Sequence, residues 1–149
     1  MARECVFCNI VSKKENTELL FENNNFVIIR DIKPACDFHY LAIPKRHIRD
    51  GRDLQLTDKP LLLEMEQELR NLFAKENVSP EHISLGFHWP PFISVPHLHM
   101  HGLAPTNQMN FIARWIFRPS NYWFRTTQYV LDNISSNSSS SKETQSAAQ

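Results

Sequence analysis

The sequence predicts an α+β domain, and three features of it carry that expectation: a hairpin signal near the N-terminus, one long amphipathic helix, and a five-residue stretch holding three of the seven histidines. The stretch is His97-Leu98-His99-Met100-His101. Histidines at i, i+2 and i+4 share one face of a β-strand, whereas on a helix the middle one points away from the others. Leu98 and Met100 then fall on the opposite, apolar face. The outer two imidazoles are about 13 Å apart along a regular strand. Zinc holds each nitrogen at roughly 2.0–2.1 Å, so a single ion cannot gather all three without a bulge. A row of imidazoles suits a bound phosphate better, with one ring attacking and a neighbour donating.

The remaining elements follow from local pattern. Thr17–Glu22 and Phe26–Arg30 read as two strands around an Asn23-Asn24-Asn25 turn. Pro34 forces an extended or turn conformation before it, and Phe38–Ile43 alternates into a further strand closed by Pro44-Lys45-Arg46-His47-Ile48. Thr57 is placed as the N-cap of a helix running through Pro60 to Lys75. Its Leu62, Met65, Leu69, Leu72 and Phe73 fall at helical spacing, which is the pattern of a core-facing stripe. Ile83–Phe87 is a strand, and Trp89-Pro90-Pro91-Phe92 a stiff loop that delivers the chain to the histidines. Phe111–Ile116 is a short amphipathic segment, and a last helix lies near Thr127–Ile134. The domain therefore occupies residues 1–134. Residues 135–149 are serine-rich, with too little apolar content to offset their ordering entropy, and are expected to be disordered.

Composition narrows the function. A chain of 149 residues suits one domain that buries roughly two-thirds of its unfolded surface. Basic and acidic residues balance at 16 each, which removes the electrostatic basis for general nucleic-acid binding. No apolar run is long enough to span a bilayer, and no secretory signal is visible. Cys5, Cys8 and Cys36 are an odd set that argues for a reducing intracellular setting rather than for disulfides; the cytoplasm, and the nucleus with it, is the expected location. Cys5-Val6-Phe7-Cys8 has the spacing of half a zinc site; a redox dithiol would want a βαβ context, which is missing.

The triad stretch, Asp31-Ile32 upstream and the run Ile43–Ile48 together resemble the histidine triad family of nucleotide hydrolases and transferases. Within it they are most similar to the Hint branch. Cys5–Cys8, Gly86–Phe92 and Asn121–Phe124 carry that narrower likeness, which extends from Cys5 to Ile134. The resemblance implies an antiparallel sheet with the long helix packed on it, paired into a homodimer through the helix of Thr57–Lys75 and the strand near Ile83. It implies attack on the α-phosphorus of a purine nucleoside phosphoramidate or acyl-nucleotide, through a nucleotidyl-histidine intermediate that water resolves to AMP or GMP. His99 takes the place of the nucleophile, and His101 that of the histidine contacting phosphate and leaving group. Ser94 matches a phosphate-contacting serine, Asp31 and Ile32 the ribose and base edge, and Phe7 and Ile10 the same nucleotide pocket. A structural zinc on Cys5, Cys8, His47 and His97 is implied as well, with no cofactor needed for catalysis.

Histidine at the third triad position, where other branches carry glutamine, favours amine or acyl leaving groups. Two departures stand out. Gly86 replaces an active-site asparagine, and bulky Phe92 and Ile93 replace a glycine and a polar residue before the serine. Two other readings compete: a zinc-stabilised nucleotide-binding module without catalysis, which leaves His99 and His101 idle, and a DNA deadenylase of the aprataxin type, which lacks support from any basic face.

Overall fold

The computed structural model describes residues 4–120 and 122–134, so the expected disorder of the serine-rich tail lies outside the described residues. Six strands form one antiparallel sheet: β1 (Phe21–Glu22), β2 (Phe26–Arg30), β3 (Phe38–Pro44), β4 (Ser84–His88), β5 (Met100–Ala104) and β6 (Phe124–Thr126), in the order β1-β2-β3-β5-β4-β6. With the helices α1 (Val6–Val11), α2 (Lys59–Lys75) and α3 (Phe111–Ile116), and a helical stretch over residues 127–134, the chain is α+β as expected.

The β1–β2 turn is held by Asn23, whose side-chain oxygen accepts from the amides of Asn25 (2.8 Å) and Phe26 (2.9 Å). The first strand is shorter than Thr17–Glu22: only Phe21 and Glu22 enter the ladder, and a single further bond, Leu20 N–H to the Ile28 carbonyl, extends the pairing.

One face of the sheet carries α2. Leu62, Met65, Leu69 and Phe73 are fully buried against Phe26, Ile28, Tyr40, Ala42 and Met100, so the helical stripe is core packing. Gly102 makes the close approach possible: a Cβ there would stand 3.0–3.1 Å from Phe73 and Leu69. Thr57 is not the cap. It lies inside a 3₁₀ turn (Leu56–Asp58), where Asp58 accepts from the Gln55 amide (2.9 Å) and from Arg46. A buried carboxylate with two donors outcompetes a threonine hydroxyl for this corner.

The opposite face holds two smaller clusters. Phe7 and Ile10 of α1 pack on Val27, Ile29, Leu41 and Ile43; Leu103, Met109, Ala113 and Phe124 pack together on the far side. The histidines lie between them. The α3 segment does not bury an apolar stripe: only Ala113 is buried, while Phe111, Ile112, Trp115 and Ile116 are exposed.

Candidate active site

The triad does not lie wholly on a strand. The ladder of β5 begins at Met100, and His97 to His99 approach it as irregular chain. This break from regular pleat lets the histidines serve two centres instead of one row.

His97 joins the first centre. Its Nδ1 lies 3.3 Å from Cys5 Sγ, 3.5 Å from Cys8 Sγ and 3.1 Å from His47 Nδ1, and Cys8 Sγ lies 3.3 Å from His47 Nδ1. All four ligand atoms fall within 4.8 Å of one another. A tetrahedral zinc with arms of about 2.0–2.3 Å has ligand–ligand edges of roughly 3.3–3.8 Å. The donor set fits that ion in number, type and spacing. The buried His97 Nε2–H donates to the Pro44 carbonyl (2.8 Å), which leaves the Nδ1 lone pair for a metal, the outer-shell arrangement typical of ligating histidines. Two unprotonated Nδ1 atoms facing each other at 3.1 Å repel unless a cation or a shared proton lies between them.

His99 and His101 belong to the second centre, with ring centroids 4.9 Å apart. His99 Nδ1 is 2.8 Å from the His97 carbonyl oxygen. A carbonyl only accepts, so Nδ1 carries the proton and the lone pair of the neutral ring resides on Nε2. Phe7 supports the ring edge-on at 5.0 Å. The tautomer of His101 is set by a residue that sequence reasoning missed. His39 of β3 accepts the Ala35 amide on Nδ1 (3.1 Å), so its proton resides on Nε2, 2.9 Å from His101 Nδ1. His101 therefore accepts on Nδ1 and holds its own proton on Nε2, a buried atom with no hydrogen-bond partner among the described residues. Burial lowers the pKa of His39, His99 and His101 below the usual histidine value, His101 the furthest, with neighbouring imidazoles adding to the effect there. All three are neutral at pH 7.

The other expected site residues are placed as follows. Asp31 Oδ2 is 3.4 Å from His39 Nε2, and its Oδ1 accepts the Lys33 amide (2.8 Å). Ile32 is 92% exposed beside it, free to meet a ligand. Phe7 borders both centres, whereas Ile10 is buried in the cluster beneath α1. Ser94 is exposed on the loop before the triad, and no hydrogen bond ties it to the histidines among the described residues. The Phe92 amide already donates to the Trp89 carbonyl (2.9 Å), which withdraws one backbone donor from the loop. A fourth imidazole, His88 of β4, stands 4.8 Å from His101 between ring centroids and was not among the expected site residues.

An imidazole lone pair beside a neighbouring imidazole donor is suited to nucleophilic displacement with proton transfer, and comparison with known proteins supplies the class. Residues 4–116 match the family described as "Scavenger mRNA decapping enzyme C-term binding". The chain belongs to the histidine triad family and is a hydrolase of it. It is 40% identical over 132 residues to adenosine 5'-monophosphoramidase HINT3 of Xenopus tropicalis, covering 87% of this chain and 86% of that protein. It is 40% identical over 116 residues to the bifunctional adenosine 5'-phosphosulfate phosphorylase/adenylylsulfatase HINT4 of Arabidopsis thaliana, covering 74% of each. A solved HIT family hydrolase from Legionella pneumophila superposes with a TM-score of 0.64 at 31% identity, over 68% of this chain and 92% of that one. A Zn-bound histidine triad family protein from Mycobacterium smegmatis shares the fold, with a TM-score of 0.61 at 23% identity, over 92% of this chain and 97% of that one.

Proposed function

We propose that the chain hydrolyses purine nucleoside phosphoramidates, and acyl-nucleotides with them, through a nucleotidyl-His99 intermediate. The observation that carries the reading is the pair of opposed tautomers: a lone pair on His99 Nε2 and a proton on the partnerless His101 Nε2. The phosphoramidase activity named for the Xenopus relative supports the choice of substrate.

His99 Nε2 attacks phosphorus while the P–N bond breaks. The negative phosphoryl group that enters favours protonation of the His39/His101 pair, and His101 passes that proton to the departing amine. The His97 carbonyl stabilises the imidazolium formed on His99 through its Nδ1–H. Water then attacks the nucleotidyl-histidine, returns a proton to the pair and releases the nucleoside monophosphate. Imidazole leaves phosphorus readily, so the intermediate does not accumulate as a trap. Asp31 and Ile32 hold the ribose and base edge with Phe7 and Ile10 behind them, and Ser94 contacts the phosphate.

Cys5, Cys8, His47 and His97 hold a structural zinc that anchors the N-terminal turn to the segment before His99. The protein forms a homodimer through α2 and the strand near Ile83, where Glu66, Arg70, Ser84 and Leu85 line a groove. It acts in the cytoplasm and nucleus, in keeping with three unpaired cysteines. The decisive experiment is steady-state hydrolysis of adenosine and guanosine phosphoramidates with and without chelator: chelator-insensitive release of AMP and GMP supports the reading, and absence of turnover sinks it. Light scattering near the 17.4 kDa of one chain would rule out the dimer.

A further inference from the structure

Four imidazoles, those of His39, His88, His99 and His101, cluster at this site. The rings of His99, His101 and His88 follow one another, with centroids 4.9 Å apart for the first pair and 4.8 Å for the second. Nucleophile, proton donor and a third ring thus stand in sequence. His88 and His99 also line one narrow cavity together with Ile93 and Val95. Displacement at phosphorus places the departing atom away from the attacking nitrogen, which puts the leaving group at the His101–His88 end of the row.

Strand β4 can serve this end only through His88. Gly86 lies opposite His101 in the ladder, but a Cβ at Gly86 would meet the Arg125 carbonyl oxygen at 2.5 Å and the Phe124 ring at 2.8 Å. With β6 occupying that place, no side chain can stand at position 86. His88, two residues on and on the same face, packs between His101, Phe117 and Phe124. Its Nε2 is 3.3 Å from the carbonyl oxygen of Ile116, the last residue of α3. The carbonyl only accepts, so Nε2 carries the proton and the lone pair resides on Nδ1, which takes no hydrogen bond among the described residues. Burial lowers the pKa of His88, which keeps that lone pair free at pH 7.

We propose that His88 reads the leaving group: its Nδ1 accepts a hydrogen bond from an N–H of the amine on phosphorus. The arrangement selects phosphoramidates that bear an N–H over leaving groups that have none. The inference rests on the phosphoramidase reading above and deepens it.

The test compares two adenylates that differ only at the leaving nitrogen, adenosine 5'-phosphoramidate, with two N–H groups, and adenosine 5'-phosphoromorpholidate, with none. The wild type should prefer the first in kcat/KM. His88→Phe keeps the ring shape without a nitrogen and should shrink that preference about tenfold, the worth of one hydrogen bond. His88→Gln, which retains an acceptor, should recover most of it. AMP affinity by calorimetry should hold in both variants, with melting temperature as the control for folding. An equal loss on both substrates, or an unchanged preference in both variants, overturns the proposal and leaves the phosphoramidase reading standing. A wild type that turns over neither substrate refutes that reading itself, and this one falls with it.

Discussion

The two imidazole centres use the same chemistry of placement for opposite ends. In the cluster of Cys5, Cys8, His47 and His97, all four ligand atoms converge on one point. In the cluster of His39, His99 and His101, His39 donates to His101 and His99 donates to the His97 carbonyl, which leaves a lone pair on His99 Nε2 and an unpartnered proton on His101 Nε2. The centres touch at two residues: His97 donates its ring to the first and its carbonyl to the second, and Phe7 lies edge-on to both His97 and His99. Convergence gives a site for a cation; directed divergence gives a site for a reaction.

If that division holds, substitutions separate cleanly. The largest expected effect is His99→Ala, which should reduce turnover well beyond the roughly 10²–10⁴-fold typical of losing an acid or base, because no nucleophile remains. Its melting temperature and metal content should stay near wild type. Cys5→Ser should do the reverse. Elemental analysis of protein purified without chelator should give about one zinc per chain, Cys5→Ser should lower it sharply, and the melting temperature should fall by about 10 °C, since structural zinc contributes folding free energy directly. Substoichiometric zinc that Cys5→Ser does not lower further would remove the metal from the account.

A smaller effect tests the chain of tautomers. His39→Phe removes the donor to His101 and should lower kcat about 10- to 100-fold, with AMP binding preserved. Loss of AMP affinity in place of kcat would assign His39 to nucleotide binding.

The pH dependence of stability is next. His39, His88 and His101 have folded-state pKa values lowered by burial, so the unfolded chain binds more protons as acid is added. The stability they confer is present above the unfolded value near 6.5 and is lost as pH falls below it. The melting temperature should drop by several degrees between pH 7 and pH 5, and His101→Phe should flatten the slope. The smallest effect is expected from truncation after Ile134: the polar composition of residues 135–149 predicts a melting temperature and turnover within error of the full chain.

Much of this was legible in the sequence wherever a local pattern sufficed. The asparagine turn, the stripe of Leu62, Met65, Leu69 and Phe73, and the apolar backs of the triad at Leu98 and Met100 all follow from period and turn chemistry. The Cys5/Cys8 spacing marked half a metal site, and the other half came only from family resemblance. What was not legible depends on neighbours distant in the chain. His39 sits in an alternating strand like any polar residue, and its role appears only once β3 pairs with β5. His88 needs β6 to occupy the place above Gly86 before it becomes the polar side chain of β4 that reaches the row. Thr57 is not the cap because the chain enters α2 through the 3₁₀ turn, which puts Asp58 at the N-cap position with its carboxylate engaged by Arg46 and the Gln55 amide. Phe111–Ile116 has an apolar composition that reads as a buried face, yet the sheet is already covered there by Met109, Ala113 and Phe124, and the large side chains stay outside.

The central claim is that His99, and not its neighbours, makes the bond to phosphorus. Acid-quenched mass spectrometry during turnover of adenosine 5'-phosphoramidate tests it most directly. An adenylyl adduct on the peptide containing His99, absent in His99→Ala and still formed in Cys5→Ser, is the expected result. An adduct mapped to His97 or His101, or wild-type turnover by His99→Ala, would contradict it.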